Sequence, residues 1–242
     1  MSDDKILIEL HYWHGDLPMM RRLVNLITCI EPTFNNRADV LLTARYDTPI
    51  DAGLVEELDN SFKTYLCQSP WVGEGEGNCY SWFASMNYVW HGYQMGRLPQ
   101  YKAILTADAD CVPLTRDWID RLHNAWDSSP WPTVQLGAEV LKDQPTRHVN
   151  SNALWSGKPH DIKYFLNCIV RQKFEPWFDM LMAPGLRELG VQDCPGMRSL
   201  WRQPSMTVDQ YQELLGEGVF FVHGVRDHSL LELAVGGMGI SV

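Results

Sequence analysis

Residues 6–67 alternate short apolar runs with stretches of helical period, and that alternation leaves few folds open. Ile6-Leu7-Ile8-Glu9-Leu10 is a compact apolar run that reads as a strand. The polar, aromatic segment His11-Tyr12-Trp13-His14-Gly15-Asp16 follows it. Met20, Leu23, Val24, Ile27 and Ile30 then recur at helical spacing, predicting an amphipathic helix over Leu17–Ile30. Pro18 suits its first turn, and Glu31-Pro32 ends it. Ala38–Ala44 reads as a second strand, Leu54–Leu58 as a short helix and Phe62–Cys67 as a third strand. Strand, helix, strand, helix, strand predicts an α/β fold: a Rossmann-type mixed, mainly parallel sheet flanked by helices.

The next strand carries the chemistry. Lys102–Leu114 is an apolar run that ends in Asp108-Ala109-Asp110, followed by Pro113 and a new helix. Two carboxylates this close repel each other unless something neutralises them. A divalent cation does so economically, because hard cations take carboxylate oxygens. Upstream, Gly73, Gly75 and Gly77 alternate in a loop whose backbone can approach a ligand closely. It lacks the Gly-Lys-Ser/Thr of a P-loop. A helix follows, with Trp82, Met86, Val89 and Trp90 on one face. Downstream, Thr115 reads as the cap of a helix carrying Ile119, Leu122 and Trp126.

Beyond residue 130 the pattern is less regular. Val134-Gln135-Leu136 reads as a strand, and 142–176 as loop-rich, with Asn150–Ser156 its most strand-like or site-like part. Helical segments are expected around Trp177–Met182, at Met197–Trp201 and from Thr207 onward, and a last strand spans Gly218–Gly224. The whole chain, 1–242, reads as one domain, in which a shift of pattern near residue 130 separates a nucleotide-type half at 1–130 from an acceptor-type half at 131–242. Most of the tryptophans belong to the core, while Trp71, Trp155 and Trp201 sit in loop-like settings able to offer a ring face.

Charge and cysteine usage narrow the setting. A formal charge of −10 argues against broad nonspecific binding to phosphate backbones. The N-terminus lacks the basic start and apolar core of a secretory signal, and no run approaches the roughly 20 apolar residues of a membrane span. Six widely spaced cysteines without a Cys-x-x-Cys pair read as reduced thiols of a cytoplasmic protein. His11 and His14 share a loop, but no third ligand stands at metal-site spacing.

Ligands of open α/β sheets bind beyond the carboxyl ends of the strands. Those ends deliver Tyr12 and Trp13, Arg45 and Asp47, Asp108 and Asp110, and finally His223 followed by Arg226 and Asp227. The Asp108-Ala109-Asp110 segment resembles the Asp-x-Asp motif of GT-A-fold nucleotide-sugar glycosyltransferases. Phe220–Asp227 is similar to the strand-His-Gly-x-Lys/Arg-Asp ending of some of them. The resemblance implies a GT-A-like fold and a metal-dependent transfer of a sugar from a nucleoside-diphosphate sugar to an acceptor hydroxyl, on a glycan or a hydroxylated nucleic-acid base. Mn²⁺ or Mg²⁺ is then held by Asp110 and His223, with Asp108 on the metal or the ribose. Arg226 faces the diphosphate; Tyr12 or Trp13 stacks on the base, Asp47 meets its ring N–H, and Arg45 lies on the same edge. Asp193 takes the place of the acceptor base, although Gln192 stands where inverting relatives carry Glu. A nucleotidyltransferase of related fold would carry a basic Gly-rich loop after strand one, which His11–Asp16 is not. A non-catalytic nucleotide- or sugar-binding domain is the reading from another class.

Overall fold

The computed structural model describes residues 4–70, 77–140, 148–171, 186 and 189–240. The first five elements follow the predicted alternation. They are β1 (Ile6–Tyr12), α1 (Leu17–Ile30), β2 (Ala38–Ala44), α2 (Ala52–Asp59) and β3 (Lys63–Gln68). Helix α3 (Gly77–Gln94), β4 (Ala103–Asp108), β5 (Cys111–Pro113) and α4 (Trp118–Ser128) come next. The second half adds β6 (Gln135–Gly137), β7 (Glu139–Val140), β8 (His148–Val149), β9 (Leu154–Ser156) and α5 (Pro159–Arg171). It closes with β10 (Val191–Asp193), β11 (Met197–Gln203), α6 (Val208–Gly216), β12 (Phe221–Val225) and α7 (Ser229–Gly237).

Seven strands form one sheet in the order β10-β6-β9-β4-β1-β2-β3. Every neighbouring pair is parallel except those made by β9, which runs against both β4 and β6. The sheet is therefore mixed and mainly parallel, as the alternation predicts. Its central strands are buried along their length, as expected where helices cover both faces. Side chains alternate across the sheet: Ile6, Ile8 and Leu10 pack with α1, α4 and α7, whereas Leu7, Leu41 and Ile104 pack with Trp82 of α3 and Phe165 of α5. A small second sheet, β11-β12-β5, joins two late strands to the short strand that follows β4. Among the described residues no helix is long and apolar enough to cross a membrane. None of the six cysteines is paired in a disulfide.

Several expectations need correction. Helix α5 occupies part of the segment read as loop, burying Ile162, Phe165, Leu166 and Ile169 at helical spacing. Met197–Trp201 belongs to strand β11, not a helix, because pairing with β12 satisfies its backbone. Helix α4 starts at Trp118 after Asp117, so Thr115 is not its cap. Helix α7 was not foreseen. Trp155 offers no face to a ligand: it is fully buried on β9, with ring centres 5.0 Å from Trp82 and 5.3 Å from Phe165. Trp71, most of the Gly73–Asn78 loop and the Trp177–Met182 helix fall outside the described residues, as does the Trp201 side chain.

Candidate functional site

Sheet register, more than any single loop, assembles the site. Strand β4 ends at Asp108, and after Ala109-Asp110 the chain turns into β5. Strand β5 pairs antiparallel with β12, setting Cys111 opposite His223. That register brings a residue from the far end of the chain beside the two aspartates. One ligating atom from each of Asp108, Asp110 and His223 lies within 4.8 Å of the others. His223 Nε2 is 3.4 Å from Asp110 Oδ1. Two atoms bound to one hard cation at about 2.0–2.6 Å are separated by no more than about 5 Å, so the spacing admits one ion. Carboxylate oxygens suit hard divalent cations, and an imidazole nitrogen beside them suits a first-row divalent metal.

The electrostatics also favour a cation. Burial, opposed by the nearby Arg226, pushes the Asp110 carboxyl from its ordinary 3.8 up to about 6. Burial raises Asp108 too, with Asp110 adding repulsion while His11, His223 and Asn152 pull the other way. A third acid belongs to the group. Asp16 is raised to about 6, first by burial and then by the charges of Asp108 and Asp110. Three acids held in partial burial without full compensation form a place where positive charge is welcome.

The edge formed by β1 and β2 carries the residues expected at the base. Trp13 is 38% exposed, and the Arg45 guanidinium lies 4.7 Å from its ring centre. Arg45 Nε and Nη2 donate to the two oxygens of Asp47 at 2.7 and 2.5 Å. This fork lowers Asp47 to about 2. Gln68 Nε2 donates to the Arg45 and Thr48 carbonyls, fixing the loop from β3. Tyr12 does not share this surface. It is buried, accepting the Asp51 N–H at 3.0 Å and donating to the Pro49 carbonyl at 3.4 Å. Of the two, Trp13 is the one that presents a ring at this edge, and Tyr12 pins the turn before α2. Arg226 is exposed just after β12, and its N–H donates to the Gln203 carbonyl.

Asp193 lies elsewhere on the same edge. It ends β10, a strand and not the loop-to-helix setting expected, and is exposed. Its Oδ1 accepts the Glu139 N–H at 3.0 Å. Strand β10 stands three places from β4 in the sheet, about 14 Å at ordinary strand spacing. Asp193 thus stands at the far side of the sheet from the aspartate pair.

Three further groups were not foreseen. Asp16 directly precedes α1, yet its side chain makes no cap bond to that helix. Its hydrogen bond is with Trp13. Beneath Asp108 lies a buried set: Ser85 Oγ is 3.0 Å from Glu9 Oε2 and 3.2 Å from His11 Nε2. Glu9 and His11 alternate on one face of β1, and the register sets His11 beside Asp108. The polar residues at odd positions of an otherwise apolar strand were the available signal. The third is Asn152, whose side chain bonds to Asp108 twice.

No protein-family model matches the sequence, and no curated protein matches it. The fold is shared with solved glycosyltransferases. The bifunctional glycosyltransferase WbbM superposes with a TM-score of 0.60 at 10% identity, over 97% of this chain and 49% of that one. The chain therefore spans about half the length of WbbM. An active-site mutant of LgtC gives 0.57 at 11% identity, over 98% of this chain and 97% of the other. Mouse xyloside xylosyltransferase 1 gives 0.53 at 12% identity, over 95% and 99%. The architecture is that of the GT-A-type glycosyltransferases.

Proposed function

We propose that this chain is a metal-dependent glycosyltransferase that moves a sugar, hexose or pentose, from a nucleoside-diphosphate sugar to an acceptor hydroxyl. The observation that carries the reading is the convergence of Asp108, Asp110 and His223 at the carboxyl edge of a sheet shared with solved glycosyltransferases. Among those neighbours, LgtC is described as a galactosyltransferase with donor and acceptor sugar analogues bound.

Residues 1–130 bind the donor in this reading, and 131–242 receive the acceptor. Mn²⁺ or Mg²⁺, when bound, supplies Lewis-acid stabilisation of the charge that develops on the departing diphosphate. Asp108, Asp110 and His223 hold it. Arg226 adds a fixed positive charge on the same side. Trp13 offers its exposed ring to the base, stiffened by Arg45 and Asp47. Asp193 takes the acceptor proton. The acceptor is a glycan or a hydroxylated nucleic-acid base, and the six free thiols favour a cytoplasmic setting.

A panel of nucleotide sugars with Mn²⁺ or Mg²⁺ tests this by release of nucleoside diphosphate. The expected result is turnover with one donor, abolished by EDTA and reduced at least about 100-fold in Asp110→Ala and His223→Ala. Undiminished turnover in EDTA, or in Asp110→Ala, overturns the metal reading.

A further inference from the structure

Asn152 stands just before β9 and is 4% exposed. Its amide is engaged at both ends. Oδ1 accepts the Asp108 backbone N–H at 2.9 Å and the Cys111 thiol at 3.4 Å. Nδ2 donates to Asp108 Oδ2 at 3.1 Å. Two donors on Oδ1 settle which end of the amide is which, so the nitrogen must face the carboxylate. The asparagine is itself held. Its backbone N–H donates to Asn150 Oδ1 at 2.8 Å, and the Ala153 N–H to the Ser151 carbonyl at 2.9 Å. The buried Trp155 indole donates to that same carbonyl at 3.1 Å. Asn150–Ala153 is therefore a preorganised turn, anchored in the core on one side and gripping Asp108 on the other.

We infer that Asn152 is a positioning residue for the cation, its amide fixing the rotation of the Asp108 carboxylate so that this group remains a ligand. The inference rests on the metal reading above and adds what orients the first aspartate. Asp110 has its own neighbour in His223, only 3.4 Å away. The Asp108 carboxylate is hydrogen-bonded from outside the trio, by the Asn152 amide. A carboxylate free to rotate loses part of its binding free energy to the ordering it undergoes on each binding event; one oriented beforehand does not. Asn152 also belongs to the half proposed to receive the acceptor, so its grip joins the metal site to that half.

The bland alternative is that Asn152 only satisfies the Asp108 backbone N–H and has no bearing on the ion. A double-mutant cycle separates the two. Mn²⁺ binding is measured by the electron paramagnetic resonance of the free ion for wild type, Asn152→Ala, Asp108→Ala and the double variant. Asn152→Ala is expected to raise the Mn²⁺ dissociation constant about 10–100-fold. In the Asp108→Ala background the same change is expected to alter it by less than about twofold, because the group it acts through is gone. An unchanged dissociation constant in Asn152→Ala overturns the inference. So does an equal loss in both backgrounds, which marks a general structural effect. If Asn152→Ala does not fold, Asn152→Ser keeps a polar group at the buried position while withdrawing the amide, and the same comparison applies. Absence of Mn²⁺ uptake by the folded wild-type protein sinks the metal reading itself, and the inference with it. Uptake by wild type with no effect of Asn152 sinks the inference alone.

Discussion

Asp110 and Asp16 show what the site costs the protein in the absence of a cation. Burial lifts each carboxyl from 3.8 to about 6. The unfolded chain therefore releases these protons near pH 4, while the folded chain holds them to about pH 6. Between those values the native state binds more protons, so stability falls as pH rises and is lowest, for this contribution, above pH 6. A cation reverses the trend, because it requires the ionised forms and competes with protons. Asp110→Asn mimics the protonated group. At pH 7.5 without divalent ions it is expected to melt above wild type, and at pH 4.5 to match it. Mn²⁺ affinity of wild type is expected to rise as pH goes from 5 to 7. An Asp110→Asn protein that melts below wild type at pH 7.5 would count against a strained carboxylate.

At the scale of elements, β9 holds the sheet's halves together. Its three residues, Leu154–Ser156, run between β4 and β6. Trp155 fills the layer against Trp82 and Phe165 with no exposed surface. Trp155→Ala is expected to cost about 3–5 kcal/mol, the usual range for removing a buried aromatic ring. Urea unfolding measures it; a loss under about 1 kcal/mol would mean the helices close the void. Elements of this size are hard to read in a sequence. Ile6–Tyr12 and Ala38–Ala44 are seven residues each and declare themselves by apolar runs. Two- and three-residue strands such as β7, β8 and β10 carry too few positions for a period, and their pairing alone makes them strands. Met197–Gln203 shows the same override, since its local pattern admits a helix and the edge of β12 decides otherwise. Helix α5 was misread as loop although its signal was present, since Ile162, Phe165, Leu166 and Ile169 keep helical spacing. Asp108, Asp110 and His223 were legible as chemistry because polar groups ended apolar strands. Asn152 was legible only as part of the site-like stretch Asn150–Ser156, and Asp16 not at all, because asparagine in a turn and aspartate before a helix have ordinary structural uses.

For the molecule as a whole, the site is a consequence of closure. Asp108 and Asp110 stand at the end of the fourth strand, whereas His223 arrives on the last one, after β6 to β11 have been laid down. The trio exists only when β12 has paired with β5, so an ion that binds all three groups binds the native chain and not the unfolded one. Its binding free energy is then added to the stability of the whole fold. At a free Mn²⁺ concentration 100 times the dissociation constant, the gain is about 2.7 kcal/mol. For a chain of this size that corresponds to a rise in Tm of roughly 5–10 °C. Thermal melts with and without Mn²⁺ measure it, and EDTA should return the original value. The control that gives the measurement force is His223→Ala. It lies 115 positions from Asp108 in the sequence (223 − 108), so a general attraction of cations to a chain of charge −10 would survive its loss. A shared coordination site would not. An unchanged shift in His223→Ala therefore points to diffuse charge, and a vanished shift means that the two ends of the chain meet at one ion.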